Sequence, residues 1–164
     1  MKFLLVFSLA AVLFLNIGCG GDGEKVSATP TKKPANPNGL TDFEMTHGTG
    51  PIKAKLELGP IDQLTAKKGE KVFELKCYQC HRIDSRLVGP PLHDVLKRRQ
   101  PEYVLNMILN PEGMLKKHPE AKKMLAQYLT PMTFQNVSKD EAMMILEYLR
   151  SEYDKETRAA AAVK

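Results

Sequence analysis

Hydrophobic positions along this chain fall into three regimes. From Phe3 to Ile17 the residues are apolar almost without a break, only Ser8 and Asn16 interrupting the run. Between Gly20 and about Pro60 large apolar residues thin out, and Gly, Pro, Thr, Asn and Lys dominate, as in Thr29-Pro30-Thr31-Lys32-Lys33-Pro34 and Asn36-Pro37-Asn38-Gly39. Beyond Ile61 apolar residues return at three- and four-residue intervals, the period of an amphipathic helix. Ala66, Gly69, Val72 and Phe73 share one face and predict a helix from about Asp62 to Lys76. Pro101, at a favoured first helical position, opens a second helix through about Asn110, which Pro111 stops. A third begins near Pro119, with Met124, Leu125 and Tyr128 on one side. In the last, Ser138 and Glu141 have capping-box spacing, and Ala142, Ile145, Leu146 and Leu149 line one stripe to about Arg150. With no alternating strand pattern in between, the expected fold class is all-α, about four short helices.

The three regimes map onto function. The leading apolar run is shorter than the roughly 20 residues that span a bilayer core and reads as an export signal over residues 1–19. Gly18-Cys19 resembles the cleavage region of a bacterial lipoprotein signal, in which the cysteine becomes the lipidated first residue. Asn16 departs from that pattern, which prefers Leu, Val or Ile where Leu15 sits one place early, so ordinary cleavage after Gly20 is the alternative. Residues 20–60 read as a flexible tether, its last part from residue 51 an extended strap on the domain surface. The folded domain is expected over 61–158, and 159–164 as a disordered tail. The protein is then exported to the periplasmic side of a bacterial membrane, lipid-anchored through Cys19, with a monomeric domain.

A formal charge of +5 is spread along the chain in pairs such as Lys67/Lys68, Arg98/Arg99, Lys116/Lys117 and Lys122/Lys123. Cationic pairs separated by acids are ordinarily solvated helix faces. No basic run interleaves with stacking aromatics, which excludes a nucleic-acid partner. About 100 residues in four short helices make a thin core, and such a domain needs something large to pack around.

Cys77-Tyr78-Gln79-Cys80-His81 supplies the candidate. C-x-x-C-H is the attachment signature of c-type haem. Two thiols three residues apart on one turn can reach the two vinyl groups of a porphyrin, and the next residue offers its imidazole to the iron. A zinc site needs about four ligands, and no second cysteine pair or His-x-x-x-His follows. A thioredoxin-like dithiol sits between a strand and a helix, whereas this one ends a helix. With Cys19 on lipid and Cys77 and Cys80 in the motif, all three cysteines are used and no disulfide framework is needed.

From these residues, about 61–152 resemble the class I cytochromes c. The family opens with a helix carrying Gly and an aromatic residue, as Gly69 and Phe73 do here, and follows the motif with a Gly-Pro turn, as in Gly89-Pro90-Pro91-Leu92. The resemblance implies one covalent haem c, with His81 and Met132 as axial ligands and the Pro90 carbonyl accepting from the histidine. It also implies that the last helix crosses the first, Leu146 and Tyr148 meeting the Gly69/Phe73 face. Arg98, Arg99 and Tyr103 lie where the family often places partners for the haem propionates. Met132, in Leu129-Thr130-Pro131-Met132-Thr133, falls where the family presents its methionine. Met107 and Met124 lie on apolar helix faces, Met143 and Met144 early in the last helix, and Met114 in a loop before the third helix. His47, His93 and His118, near Gly or Pro, read as surface turn residues. In cytochromes c-prime the motif lies near the chain end, whereas here more than eighty residues follow it.

The implied function is electron transfer between respiratory complexes or reductases, with no open iron position and hence no enzyme activity. The alternatives are a gas- or peroxide-binding sensor or enzyme, and a fixed subunit of a larger oxidase or reductase complex. Lys116, Lys117, Lys122 and Lys123 would form a basic rim that steers the domain to an acidic partner. Cys19→Ala is expected to release a haem-bearing soluble protein into the wash of a membrane preparation. Wild-type protein that washes free without detergent refutes the anchor.

Overall fold

The apolar faces at the two ends of the domain find each other, and the rest of the chain is arranged around that pairing. The computed structural model describes residues 37–162, within which the chain forms helices and turns and no strand. The helices are α1 (Asp42–His47), α2 (Gln63–Lys76), α3 (Val95–Arg98), α4 (Pro101–Leu109), α5 (Pro111–Lys117), α6 (Pro119–Tyr128) and α7 (Lys139–Ala162). The Asp62 carboxylate caps α2 by accepting the N–H groups of Leu64 and Thr65 at 2.9 and 3.3 Å. Proline opens α4, α5 and α6. Before α7, Ser138 and Glu141 exchange bonds of 2.8 and 3.2 Å, the expected capping box.

α2 and α7 cross as expected. A Cβ on Gly69 would collide with the Met144 carbonyl, so only glycine permits this backbone approach. Beside it Phe73 and Tyr148 pack with ring centroids 5.4 Å apart, in one core with Leu105, Ile145, Leu146 and Leu149. Glu147 reinforces the crossing, accepting from the Asp62 N–H at 2.6 Å and pairing with Arg150, which donates to the Gly59 carbonyl at 2.6 Å.

Several expectations need correction. The flexible tether does not reach residue 60: residues 42–47 are helical, and Leu40, His47, Thr49 and Ile52 are buried. The Thr41/Glu44 capping box drives this helix, and the low apolar content around it hid the signal. At the other end α7 runs to Ala162, so residues 159–162 continue a helix instead of forming a disordered tail. Among the described residues four helices become seven, with α1, α3 and α5 added, and Met114 is a fully buried residue of α5, not a loop residue. The signal at 1–19, Cys19 and the tether over 20–36 lie outside the described residues.

Besides a few apolar anchors such as Ile52, residues 40–58 are held by polar side chains, which leave no hydrophobic period to detect. Asn106, fully buried in α4, accepts from the Ile52 N–H at 2.9 Å and donates to the carbonyls of His47, Ile52 and Gly48 at 3.0 to 3.3 Å. Glu102 receives the His47 ring Nδ1 at 2.7 Å and the Leu56 N–H at 2.6 Å. Burial raises the Glu102 pKa, but these bonds outweigh it and hold the carboxyl below its ordinary value. The Met114 sulfur accepts the Thr49 N–H at 3.0 Å, and Asn110 donates to the Thr49 carbonyl at 3.1 Å. His47 and His118 are therefore not surface turn residues: they are 8% and 1% exposed. His93, by contrast, is half-buried, with Nδ1 against the Ile83 carbonyl at 3.2 Å.

His118 joins this strap to α6 through both ring nitrogens. Nε2 donates to the Met45 carbonyl at 3.2 Å, and Nδ1 accepts the Glu120 N–H at 3.2 Å, capping the helix. A protonated ring cannot accept, so the cap needs the neutral form. Burial lowers the His118 pKa, Arg99 adds to this, and the Met45 bond and Glu120 oppose it. Below about pH 6.5 the unfolded chain takes up a proton that the folded His118 refuses. Stability is then expected to fall as pH drops from about 6.5 toward the lowered folded value. Denaturant melts from pH 8 to 5 check this: His118→Asn, which cannot titrate, is expected to remove part of that slope.

Candidate cofactor site around the C-x-x-C-H turn

The motif is shaped by the end of α2. Cys77, its C-cap, donates its N–H to Phe73 at 2.8 Å, and the chain then turns so tightly that Cys80 and His81 both donate to the Cys77 carbonyl, at 3.0 and 2.9 Å. One turn thus presents two thiols and an imidazole. The loop behind it folds back through Gly89 N–H to Cys80 carbonyl at 2.8 Å and Leu92 N–H to Ile83 carbonyl at 3.0 Å.

That return fixes His81. Its Nδ1 donates to the Pro90 carbonyl at 3.1 Å, the bond expected for Pro90, so Nε2 is the nitrogen left with a lone pair. Gly89 sits against the ring face, where a Cβ would collide with Cε1. Burial lowers the His81 pKa against the opposing Pro90 bond, favouring the neutral imidazole that binds metals. Both thiols are unbonded; burial pushes Cys77 up to about 11, with Lys76 pulling it back, while Cys80 is exposed.

The surroundings suit a large apolar group. Ile83, Leu92, Val95 and Leu96 lie partly buried against the core. Leu87, Val88, Leu129 and Phe134 stand 39 to 83% exposed on the loop after the motif and on the segment between α6 and α7. An attached porphyrin is a body of the right character to cover exposed apolar side chains of this size. Among the described residues no three His, Cys, Asp or Glu side chains converge as a metal site, which leaves zinc without a ligand set. Haem fits the residues present; zinc does not.

The other expected residues fall as follows. Met132 lies half-buried in the segment 129–138 that joins α6 to α7. Arg98 pairs with Asp94 at 2.8 Å and donates to the Pro91 carbonyl at 2.9 Å, tying α3 to the Gly-Pro turn. Tyr103 is buried edge-on to His118, ring centroids 5.0 Å apart, with the Arg99 guanidinium 5.2 Å from its ring. Arg98, Arg99 and Tyr103 share the wall of one polar cavity of about 330 Å³. Two features went unread in the sequence. Lys76 donates to the Asn136 carbonyl at 2.8 Å and pairs with Glu141 at 2.9 Å, and the Arg86 guanidinium lies 4.5 Å from the Tyr128 ring. Neither leaves a local signal, since each joins residues more than 40 positions apart. No described helix is long and apolar enough to cross a membrane.

A profile of the cytochrome c family matches residues 66–152. Cytochrome c2 of Rhodopseudomonas palustris (strain ATCC BAA-98 / CGA009) is 27% identical over 119 residues, covering 57% of this chain and 85% of that protein. Among solved structures, the cytochrome c from Rhodothermus marinus is 40% identical with a TM-score of 0.65, covering 73% of this chain and 99% of that one. An engineered Rhodothermus marinus cytochrome c bound to a carbene intermediate, 1-ethoxy-1-oxopropan-2-ylidene, is 41% identical with a TM-score of 0.62, covering 68% and 96%.

Gly89→Ala tests the cradle. The added methyl must push the His81 ring aside or break its Pro90 bond, at roughly 1–3 kcal/mol. A lowered melting midpoint and a weakened low-spin haem spectrum are expected. Gly59→Ala, where a Cβ meets nothing within 4 Å, is expected to change neither.

Proposed function

This chain belongs to the cytochrome c family through residues 66–152, and from that membership we propose that it carries single electrons between protein partners outside the cytoplasm. Its cofactor is haem c. Cys77 and Cys80 would form the two thioethers and His81 Nε2 would bind the iron, and the observation that carries the proposal is the His81–Pro90 bond of 3.1 Å behind the C-x-x-C-H turn. The bound haem supplies a one-electron ferric/ferrous couple.

What the chain contributes is a fixed environment. The Pro90 carbonyl makes the His81 imidazole more electron-rich and stops its rotation. The α2/α7 crossing holds the attachment turn rigid, and a rigid site keeps reorganisation small when charge changes. Met132 is the sixth ligand in this proposal, and three of the competing methionines have other uses. Met114 is fully buried with its sulfur engaged by Thr49, Met107 packs beside it, and Met143 packs against the main core. Pro131 fixes the backbone before Met132. Lys116, Lys117, Lys122 and Lys123 are exposed on α5 and α6 and would steer an acidic partner at low salt. Export and a lipid anchor at Cys19 would keep the domain near membrane-bound donors and acceptors. Arg98 and Tyr103, with Arg99, are the proposed propionate partners.

A second reading, a haem protein whose sixth position accepts a small external ligand, draws on the engineered Rhodothermus relative solved with a carbene intermediate. One experiment separates the two. The ferric wild type is expected to show the weak far-red sulfur-to-iron band, and the ferrous wild type to leave carbon monoxide unbound at neutral pH. Met132→Ala is expected to lose the band, lower the reduction potential and bind carbon monoxide. A band that survives in the variant moves the ligand to another methionine, and carbon monoxide binding by the wild type favours the second reading.

A further inference from the structure

The segment 129–138 has no helix or strand of its own, and two of its residues, Leu129 and Asn136, hold positive φ angles of 58° and 51°. Leu129 donates its N–H to Leu125 at 2.8 Å as the helix-ending residue of α6, a left-handed position that glycine normally fills. Its side chain is 83% exposed, so no packing against the chain's own residues keeps it there. Non-glycine residues in that region persist only where surrounding structure imposes the conformation.

The surrounding structure acts at both ends. At the front, the Tyr128 ring lies 4.5 Å from the guanidinium of Arg86, five residues beyond His81. At the back, Lys76, the residue before Cys77, donates to the Asn136 carbonyl at 2.8 Å and reaches Glu141 at 2.9 Å, while Glu141 also accepts the Ser138 N–H at 2.8 Å. Val137, between them, is buried. The chain just before and just after the attachment motif therefore grips both ends of the segment that carries Met132.

We infer that Arg86 and Lys76 are positioning residues that set how firmly the sixth ligand is held. Resting on the proposal of Met132 as that ligand, the inference adds that its retention is governed from the His81 side of the site. To free the iron, the segment must swing away; the Arg86–Tyr128 stack and the Lys76–Asn136 bond resist that swing. Weakening either grip raises the population of the open segment, and an external ligand binds the iron more tightly in proportion.

The test is imidazole titration of the ferric, haem-loaded protein, followed by loss of the far-red band, with haem content and melting midpoint measured alongside. Arg86→Leu and Tyr128→Leu are each expected to tighten imidazole binding by about two- to fivefold. The double variant is expected to show no more than either single one, because both remove the same contact. Tyr128→Phe and Arg86→Lys keep a ring and a cation and are expected to restore wild-type affinity. Lys76→Met is expected to tighten binding by a similar factor. A wild-type band with equal imidazole affinities in every variant overturns the inference and leaves Met132 in place. Additive effects in the double variant, or changes that track only the melting midpoint, also overturn it. A wild type without the band overturns the methionine ligand and this inference together.

Discussion

An imidazole that must face one way, and stay there, is the constraint on which the rest of this structure depends. His81 achieves it through a single bond to the Pro90 carbonyl and the bare backbone of Gly89 against its ring. A carbonyl can serve only if the loop returns to the motif, and the bonds of Gly89 to Cys80 and of Leu92 to Ile83 bring it back. The turn in turn needs a rigid base, which α2 supplies because Gly69 lets α7 close against it.

A second framework, independent of the first, is polar and buried. Asn106, Glu102, Asn110 and His118 accept from or donate to the backbone of residues 45–56, so the strap is secured by hydrogen bonds as well as by Ile52, Leu56 and Leu58 against the core. Among the described residues every buried side-chain nitrogen or oxygen has a partner. Such a network specifies one arrangement, because a shift of the strap would leave several buried groups unpaired at about 1–3 kcal/mol each.

Much of this was legible in the chain. The α2 and α7 stripes stood out because each buries one face against the core, and α4 was marked by the prolines at its two ends. The motif announced the site through its spacing, and the Gly-Pro turn through its resemblance to the class I cytochromes c. The α1 helix carries the same Thr-x-x-Glu signal as the Ser138/Glu141 box, yet six residues without an apolar stripe gave no period to detect. His47 and His118 read as surface residues because their burial depends on partners 55 and 73 positions away. The same applies to Lys76 with Asn136 and Arg86 with Tyr128: local pattern reports which way a side chain faces, not which distant backbone it meets.

The approach of Gly69 to Met144 also says something about how the molecule comes into being. These residues lie near opposite ends of the family-matched region, so the crossing can form only after nearly all of the domain has been looped. Closing a loop of that size costs on the order of 4 kcal/mol of chain entropy before the core returns anything. Although every described element is a helix, this crossing is a long-range contact of the kind that slows folding. A chain interrupted before α7 would retain the attachment motif and lack the surface that closes over α2.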